Sequence, residues 1–272
     1  MRYHGATRNL TARFTLMDAA KFAADSRLVD EAVPSPNHGE RRGGGPDMIV
    51  LHYTGMPDAS VALERLCQPG SGVSAHYFVF EDGRLVQCVP EERRAWHAGE
   101  ACWAGDTDIN SRSIGIEIAN PGHGWGYGDF TDAQIERVIA LCRDLVGRHP
   151  VPSHRVLGHS DVAPLRKQDP GEKFPWARLA AAGVGHWVEP EPIANGPPVL
   201  TLGDRGEKVQ ALQAELAAYG YGIAASGDYD APTRDVVTAV QRHFRPARVD
   251  GVADRSTLRT ITRLLAARAA VA

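Results

Sequence analysis

Met48-Ile49-Val50-Leu51-His52-Tyr53 reads as a strand, because β-branched and aromatic side chains suit a pleated, half-buried surface. Ala75–Phe80 (A-H-Y-F-V-F), Leu85–Val89 and Ser113–Ala119 (S-I-G-I-E-I-A) share that character, and Glu81-Asp82-Gly83-Arg84 between two of them carries the Asp-Gly of a hairpin turn. From Thr131 to His149 the period changes. Ile135, Val138, Ile139, Cys142, Leu145 and Val146 recur at helical spacing, and Thr131 with Gln134 makes a capping-box pattern. Ser60–Cys67 is a shorter helix candidate. Strand-like runs alternating with helical ones predict an α/β domain with a mixed central sheet flanked by helices.

Val188–Pro198 (V-E-P-E-P-I-A-N-G-P-P) interrupts this alternation. Repeated proline excludes helix and removes backbone donors, so the segment reads as a semi-rigid linker between residues 1–187 and a second domain, 199–272. Beyond it the pattern is helical only. Val209, Leu212, Leu216 and Tyr219 line one helix from about Glu207; Val236, Val237, Val240 and Phe244 line another that opens at Pro232; a third runs from Ser256 through Leu265. These predict a small three-helix domain. The stretch G-D-Y-D-A-P-T-R before the second helix echoes D-G-V-A-D-R-S-T before the third, as if one turn-plus-helix unit were used twice.

Composition narrows the function. The 272 residues are 43% hydrophobic and 23% charged, which excludes general disorder, and a formal charge of −3 argues against a dedicated nucleic-acid binder. No run approaches the roughly 18 apolar residues of a membrane span. Arg2, His4, Arg8, Arg13, Asp18 and Lys21 interrupt every apolar run at the start, so a cytoplasmic protein is the expectation, with the envelope as alternative. Cys67, Cys88, Cys102 and Cys142 have neither zinc nor redox spacing and read as free, mostly buried thiols. A monomer is expected.

Among the eleven histidines, position must discriminate. His52 sits inside a strand, His159 follows R-V-L-G at the end of another, and Asp169 comes ten residues later. Two imidazoles and a carboxylate are what a catalytic zinc needs, with a fourth position open, but the spacing is not a compact motif and on chemistry alone an unrelated assortment of polar residues is the favoured reading. Alternation puts Gly115 and Glu117 on one face of their strand, opposite the isoleucines. Glu117 is therefore either on a solvent face or a general base.

Taken together, I-V-L-H-Y-T-G-M, V-S-A-H-Y-F-V, A-W-H-A-G, S-I-G-I-E-I-A-N and G-H-S-D-V-A-P-L-R-K-Q-D-P-G-E-K-F-P-W resemble the zinc-dependent N-acetylmuramoyl-L-alanine amidases of the type-2 family, over roughly Val33–Val188. L-G-D-R-G-E-K-V-Q-A-L-Q, A-V-Q-R-H-F and V-D-G-V-A-D are similar to a three-helix peptidoglycan-binding module, from Leu202 to about Leu265. The resemblance implies one Zn²⁺ held by His52, His159 and Asp169, with Glu117 as catalytic acid/base and Lys167 as the cation stabilising the oxyanion. It also implies substrate contacts at Asn37 and His97, whereas His76 is expected to be structural and His154 to lie in a loop away from the metal. The substrate implied is peptidoglycan or a muropeptide, cut between muramic or anhydro-muramic acid and L-alanine. Two alternatives follow from the same fold: a recognition protein that binds muropeptides without cutting, and a zinc hydrolase of another stem-peptide amide. The second domain is expected to add a wall attachment point and leave the chemistry alone.

Overall fold

The computed structural model describes residues 22–194, 196 and 199–270. The reading of the first 21 residues as lacking a leader, and linker residues 195, 197 and 198, lie outside the described residues.

The expected strands and helices form, trimmed by a residue or two at most ends. Six strands make the main sheet: β1 (Glu31–Ala32), β3 (Met48–Tyr53), β4 (Tyr77–Val79), β5 (Leu85–Gln87), β7 (Ser113–Ile118) and β8 (Val156–Gly158), in the order β1-β5-β4-β7-β3-β8. Pairing is parallel except for the β4–β5 hairpin closed by Asp82-Gly83. Two short strands not anticipated from the sequence, β2 (His38–Glu40) and β6 (Arg93–Ala95), pair antiparallel beside it. A central parallel strand must be covered on both faces, which explains why Met48–Leu51 is apolar throughout and fully buried.

Helix α1 (Ala59–Cys67) is capped by Asp58, whose side chain accepts from the Val61 N–H. Helix α3 (Asp132–Arg148) has the capping box read from Thr131 and Gln134, and buries Ile135, Val138, Cys142 and Leu145 against Ile114, Ile116 and Ile118 of β7. Two single-turn helices, α2 (Ile109–Arg112) and α4 (His159–Val162), and α5 (Trp176–Ala181) complete this part. Cys67, Cys88 and Cys142 are buried free thiols and Cys102 is half-buried.

The C-terminal helices are α6 (Glu207–Tyr219), α7 (Ala231–Phe244) and α8 (Arg255–Ala269). The sequence echo has a structural meaning. Asp230 caps α7 by accepting from the Thr233 N–H, and Asp254 caps α8 by accepting from the Thr257 N–H. Behind each cap a buried glutamine, Gln213 or Gln241, ties the preceding turn to the capping threonine. These helices do not hang free of the sheet domain. One continuous apolar core joins Met48, Val50, Trp103, Leu157 and Val162 to Leu216, Tyr219, Tyr221 and Val240. No helix among the described residues is long and apolar enough to cross a membrane.

Candidate metal centre and active site

β3 and β7 are paired in register with His52 opposite Glu117, so alternation turns both side chains to the same face of the sheet. β8 ends beside them and delivers His159 as the first residue of α4. The loop after α4 returns, and the Ser160 N–H donates to the Asp169 carbonyl at 2.9 Å, which seats Asp169 next to His159. The structure thereby brings His52, His159, Asp169, Glu117, Lys167 and His97 to the lining of one cavity of about 470 Å³.

Three atoms converge at its floor. His52 Nδ1 lies 2.9 Å from His159 Nδ1, and each is 3.0 Å from Asp169 Oδ2. The surrounding hydrogen bonds assign the protons. Ser113 Oγ–H donates to the Ile109 carbonyl at 2.6 Å, so the Oγ must accept from His97 Nε2–H at 3.1 Å. His97 Nδ1 is then an acceptor and takes the proton of His52 Nε2 at 3.1 Å, which leaves His52 Nδ1 as a bare lone pair. Independently, His159 Nε2–H donates to the Ala98 carbonyl at 3.0 Å, leaving its Nδ1 bare as well. Two lone pairs and a carboxylate oxygen therefore face one another with no proton between them. Such an arrangement calls for a cation. Tetrahedral zinc with bonds of about 2.0–2.1 Å separates its ligand atoms by about 3.3 Å, within a few tenths of an ångström of the distances here. His52, His159 and Asp169 fit a metal, and a ligating histidine whose other nitrogen is pinned is the usual outer arrangement of such sites.

Electrostatics agrees. Burial and the neighbouring His159 ring push His52 down to about 4, so it is neutral at physiological pH, as a metal ligand must be. Glu117 behaves oppositely: burial, then repulsion from Asp169, raise it well above an ordinary glutamate, with Lys167 opposing. Its Oε2 is buried without a hydrogen-bond partner among the described residues. An unpartnered carboxyl with a raised pKa at a cavity wall is suited to exchange protons.

The other expected site residues are placed differently. Both ring nitrogens of His97 are engaged, one with His52 and one with Ser113, so its clearest contacts are with these two residues, although the ring also lines the cavity. The Asn37 amide, just before β2, is buried against the end of α1 and the loop after it, donating to the Leu66 and Gln68 carbonyls and to Ser71 Oγ, and it accepts from the Gly70 N–H. It does not reach the cavity lining. His76 Nδ1 accepts from the Gly115 N–H, a structural bond that steadies β7. His154 lies in a single 3₁₀ turn before β8. Sequence reasoning did not find Ser113 or Tyr53. Ser113 gave no signal, whereas Tyr53, next to His52, lines the cavity and hydrogen bonds His123 Nδ1 at 3.0 Å.

Comparison with known proteins adds to this geometry. Residues 42–172 match the family described as N-acetylmuramoyl-L-alanine amidase, and residues 205–261 match a peptidoglycan binding domain. The chain is 36% identical over 231 residues to the N-acetylmuramoyl-L-alanine amidase AmiD of Escherichia coli, covering 77% of this chain and 79% of that one. It is also 36% identical to the 1,6-anhydro-N-acetylmuramyl-L-alanine amidase AmpD of Enterobacter cloacae, across 57% of this chain and 90% of that one. The solved complex of E. coli AmiD with anhydro-N-acetylmuramic acid-L-Ala-D-gamma-Glu-L-Lys superimposes with a TM-score of 0.70 at 32% identity, covering 85% of this chain and 98% of that chain.

Proposed function

The chain belongs to the N-acetylmuramoyl-L-alanine amidase family, and from that premise we propose how its site works and on what. The enzyme hydrolyses the amide between the lactyl group of muramic or anhydro-muramic acid and the L-alanine that opens the stem peptide. The observation that carries the mechanism is the triangle of bare acceptor atoms from His52, His159 and Asp169 beside the unpartnered carboxyl of Glu117.

In this reading His52, His159 and Asp169 hold one zinc ion. When bound, the metal would supply Lewis acidity to a water and to the scissile carbonyl. The remaining work falls to the chain itself. Glu117 takes a proton from the attacking water and returns it to the departing alanine nitrogen, because an amine leaves poorly unless protonated. Its raised pKa favours the second half of that cycle. Lys167, lining the same cavity, stands where a cation can offset charge growing on the carbonyl oxygen. Arg65 lines the cavity too and suits a carboxylate of a stem peptide, whereas Arg166 beside it is tied to the Ala98 and Glu100 carbonyls.

A protein that only recognises muropeptides has no use for a carboxylate oxygen held unpartnered at the cavity wall, which favours hydrolysis. The test is incubation with purified muropeptides, with and without a chelator, followed by mass analysis. Free peptide beginning with L-alanine is expected, and only without chelator. Cleavage deeper in the stem would make the protein a hydrolase of a different amide. For substrate form we propose recycled anhydro-muropeptides, supported by the anhydro-muramyl substrates named for AmpD and for the AmiD complex, and a cytoplasmic enzyme is the one that would meet them. Activity in a periplasmic fraction would replace this with remodelling of the wall.

A further inference from the structure

α4 is a single turn that starts at a metal-ligand position, His159, and its Asp161 is fully buried beneath the C-terminal helices. Asp161 Oδ2 accepts from the Gly158 N–H and from His243 Nδ1, each at 2.7 Å, and Oδ1 accepts from the Tyr221 hydroxyl at 2.7 Å. Two of these three donors come from the C-terminal helical segment. His243 itself is held between the rings of Trp176 and Phe244, with centroids 3.7 Å away on both sides. The preceding residue on α7, Arg242, donates to Gln168 Oε1 at 3.3 Å and lies 3.7 Å from the Glu172 carboxylate. Gln168 and Glu172 flank Asp169. Two consecutive residues of α7 thus grip the two segments that carry His159 and Asp169.

The backbones also approach closely. The Ala104 N–H donates to the Gly220 carbonyl at 2.7 Å, and a Cβ on Gly220 would stand 2.6 Å from the buried Trp103 ring. A module that only tethers the enzyme to its polymer needs neither a buried carboxylate nor a fit this close. A buried carboxylate is tolerated only where its donors are well aligned, so the contacts at Asp161 favour one orientation of the two parts.

We propose that the C-terminal segment is a positioning part of the metal site: Tyr221, Arg242 and His243 hold the His159 turn and the Asp169 loop at the separation a cation requires. None of the three is a metal ligand. The proposal rests on the reading of His52, His159 and Asp169 as ligands, and it replaces the expectation that this segment leaves the chemistry alone.

The experiment uses the full chain and Zn²⁺ itself, with affinity read by competition against a chromophoric chelator well below the melting temperature. His243→Leu keeps bulk but removes the donor, whereas the amide nitrogen of His243→Asn stands near the place of Nδ1. Outer hydrogen bonds are typically worth about 10–100-fold in metal affinity. The expected result is Zn²⁺ binding weakened at least tenfold in His243→Leu and within threefold of wild type in His243→Asn. Tyr221→Phe deletes one hydroxyl without opening a cavity and carries the same test if His243→Leu does not fold; weakened binding is expected there too. Wild-type affinity in the folded Leu or Phe variant, or equal loss in His243→Leu and His243→Asn, overturns the positioning role. Failure of the wild-type chain to take up zinc overturns instead the ligand assignment beneath it.

Discussion

Gly115→Ala tests whether a chain of hydrogen bonds sets His52, the proposed metal ligand. A Cβ on Gly115 would stand 2.4 Å from Cγ, 2.5 Å from Cδ2 and 2.7 Å from Nδ1 of His97. Non-bonded carbons are comfortable at about 3.5–4.0 Å, so the ring must retreat by about 1 Å or the strand must bend. The ring has little freedom to retreat. His97 is tied to His52 and to Ser113 at 3.1 Å each, and a shift of that size breaks at least one bond. Overpacking of this kind costs about 1–3 kcal/mol, which for a chain of this size lowers the melting temperature by about 2–4 °C for each kcal/mol. Loss of the outer bond to His52 should weaken zinc binding by about 10–100-fold. Thermal melting and zinc competition measured on the same preparation read the two effects. A variant that melts within about 1 °C of wild type and binds zinc within threefold would refute the relay from Ser113 through His97 to His52.

Glu117→Gln should keep its zinc and lose about 10²–10⁴ in turnover, since the amide preserves shape but not proton exchange; activity within threefold of wild type would assign the base elsewhere. Asp169→Ala removes one of three donors and should strip the metal, so wild-type zinc content by elemental analysis would remove Asp169 from the ligand set. A last prediction concerns stability. Burial pushes Glu91 up, but Arg148, Tyr77 and His149 outweigh it and bring the carboxyl down to about 2. A depressed carboxylate contributes stability that is complete above its unfolded pKa of about 4.3 and is lost as the pH falls toward 2. Glu91→Gln should therefore be less stable at pH 7 by about 2 kcal/mol, after allowance for solvent screening, and should flatten the loss of stability below about pH 4.5. Parallel acid melting curves for the two proteins would count against this network.

Much of this protein was legible in residue order because the deciding signals are short in range. The apolar run at Met48–Leu51, the isoleucines of Ser113–Ile118, the capping box of Thr131 and Gln134 and the Asp-x-x-Thr caps of α7 and α8 each depend on neighbours within a few residues. The face shared by Gly115 and Glu117 followed from strand alternation alone. What alternation left open was whether that face met solvent or a site, and only the register of β7 against β3, which sets Glu117 beside His52, decided it.

The remaining decisions needed distances between residues far apart in the chain. His52 and His159 are separated by 107 positions and become neighbours only when β3 pairs with β8. No local pattern marks Ser113, whose hydroxyl sets the protonation of two histidines in turn, or shows that Asn37 serves a loop rather than the cavity. The helical segment is the clearest case. Its apolar stripes foretold three helices, but proline between the two parts speaks only of local stiffness and says nothing of what the helices pack against. That a charged group could be buried between the two parts depends on Tyr221, His243 and the Gly158 N–H arriving together at Asp161, a convergence that exists only once the chain has folded.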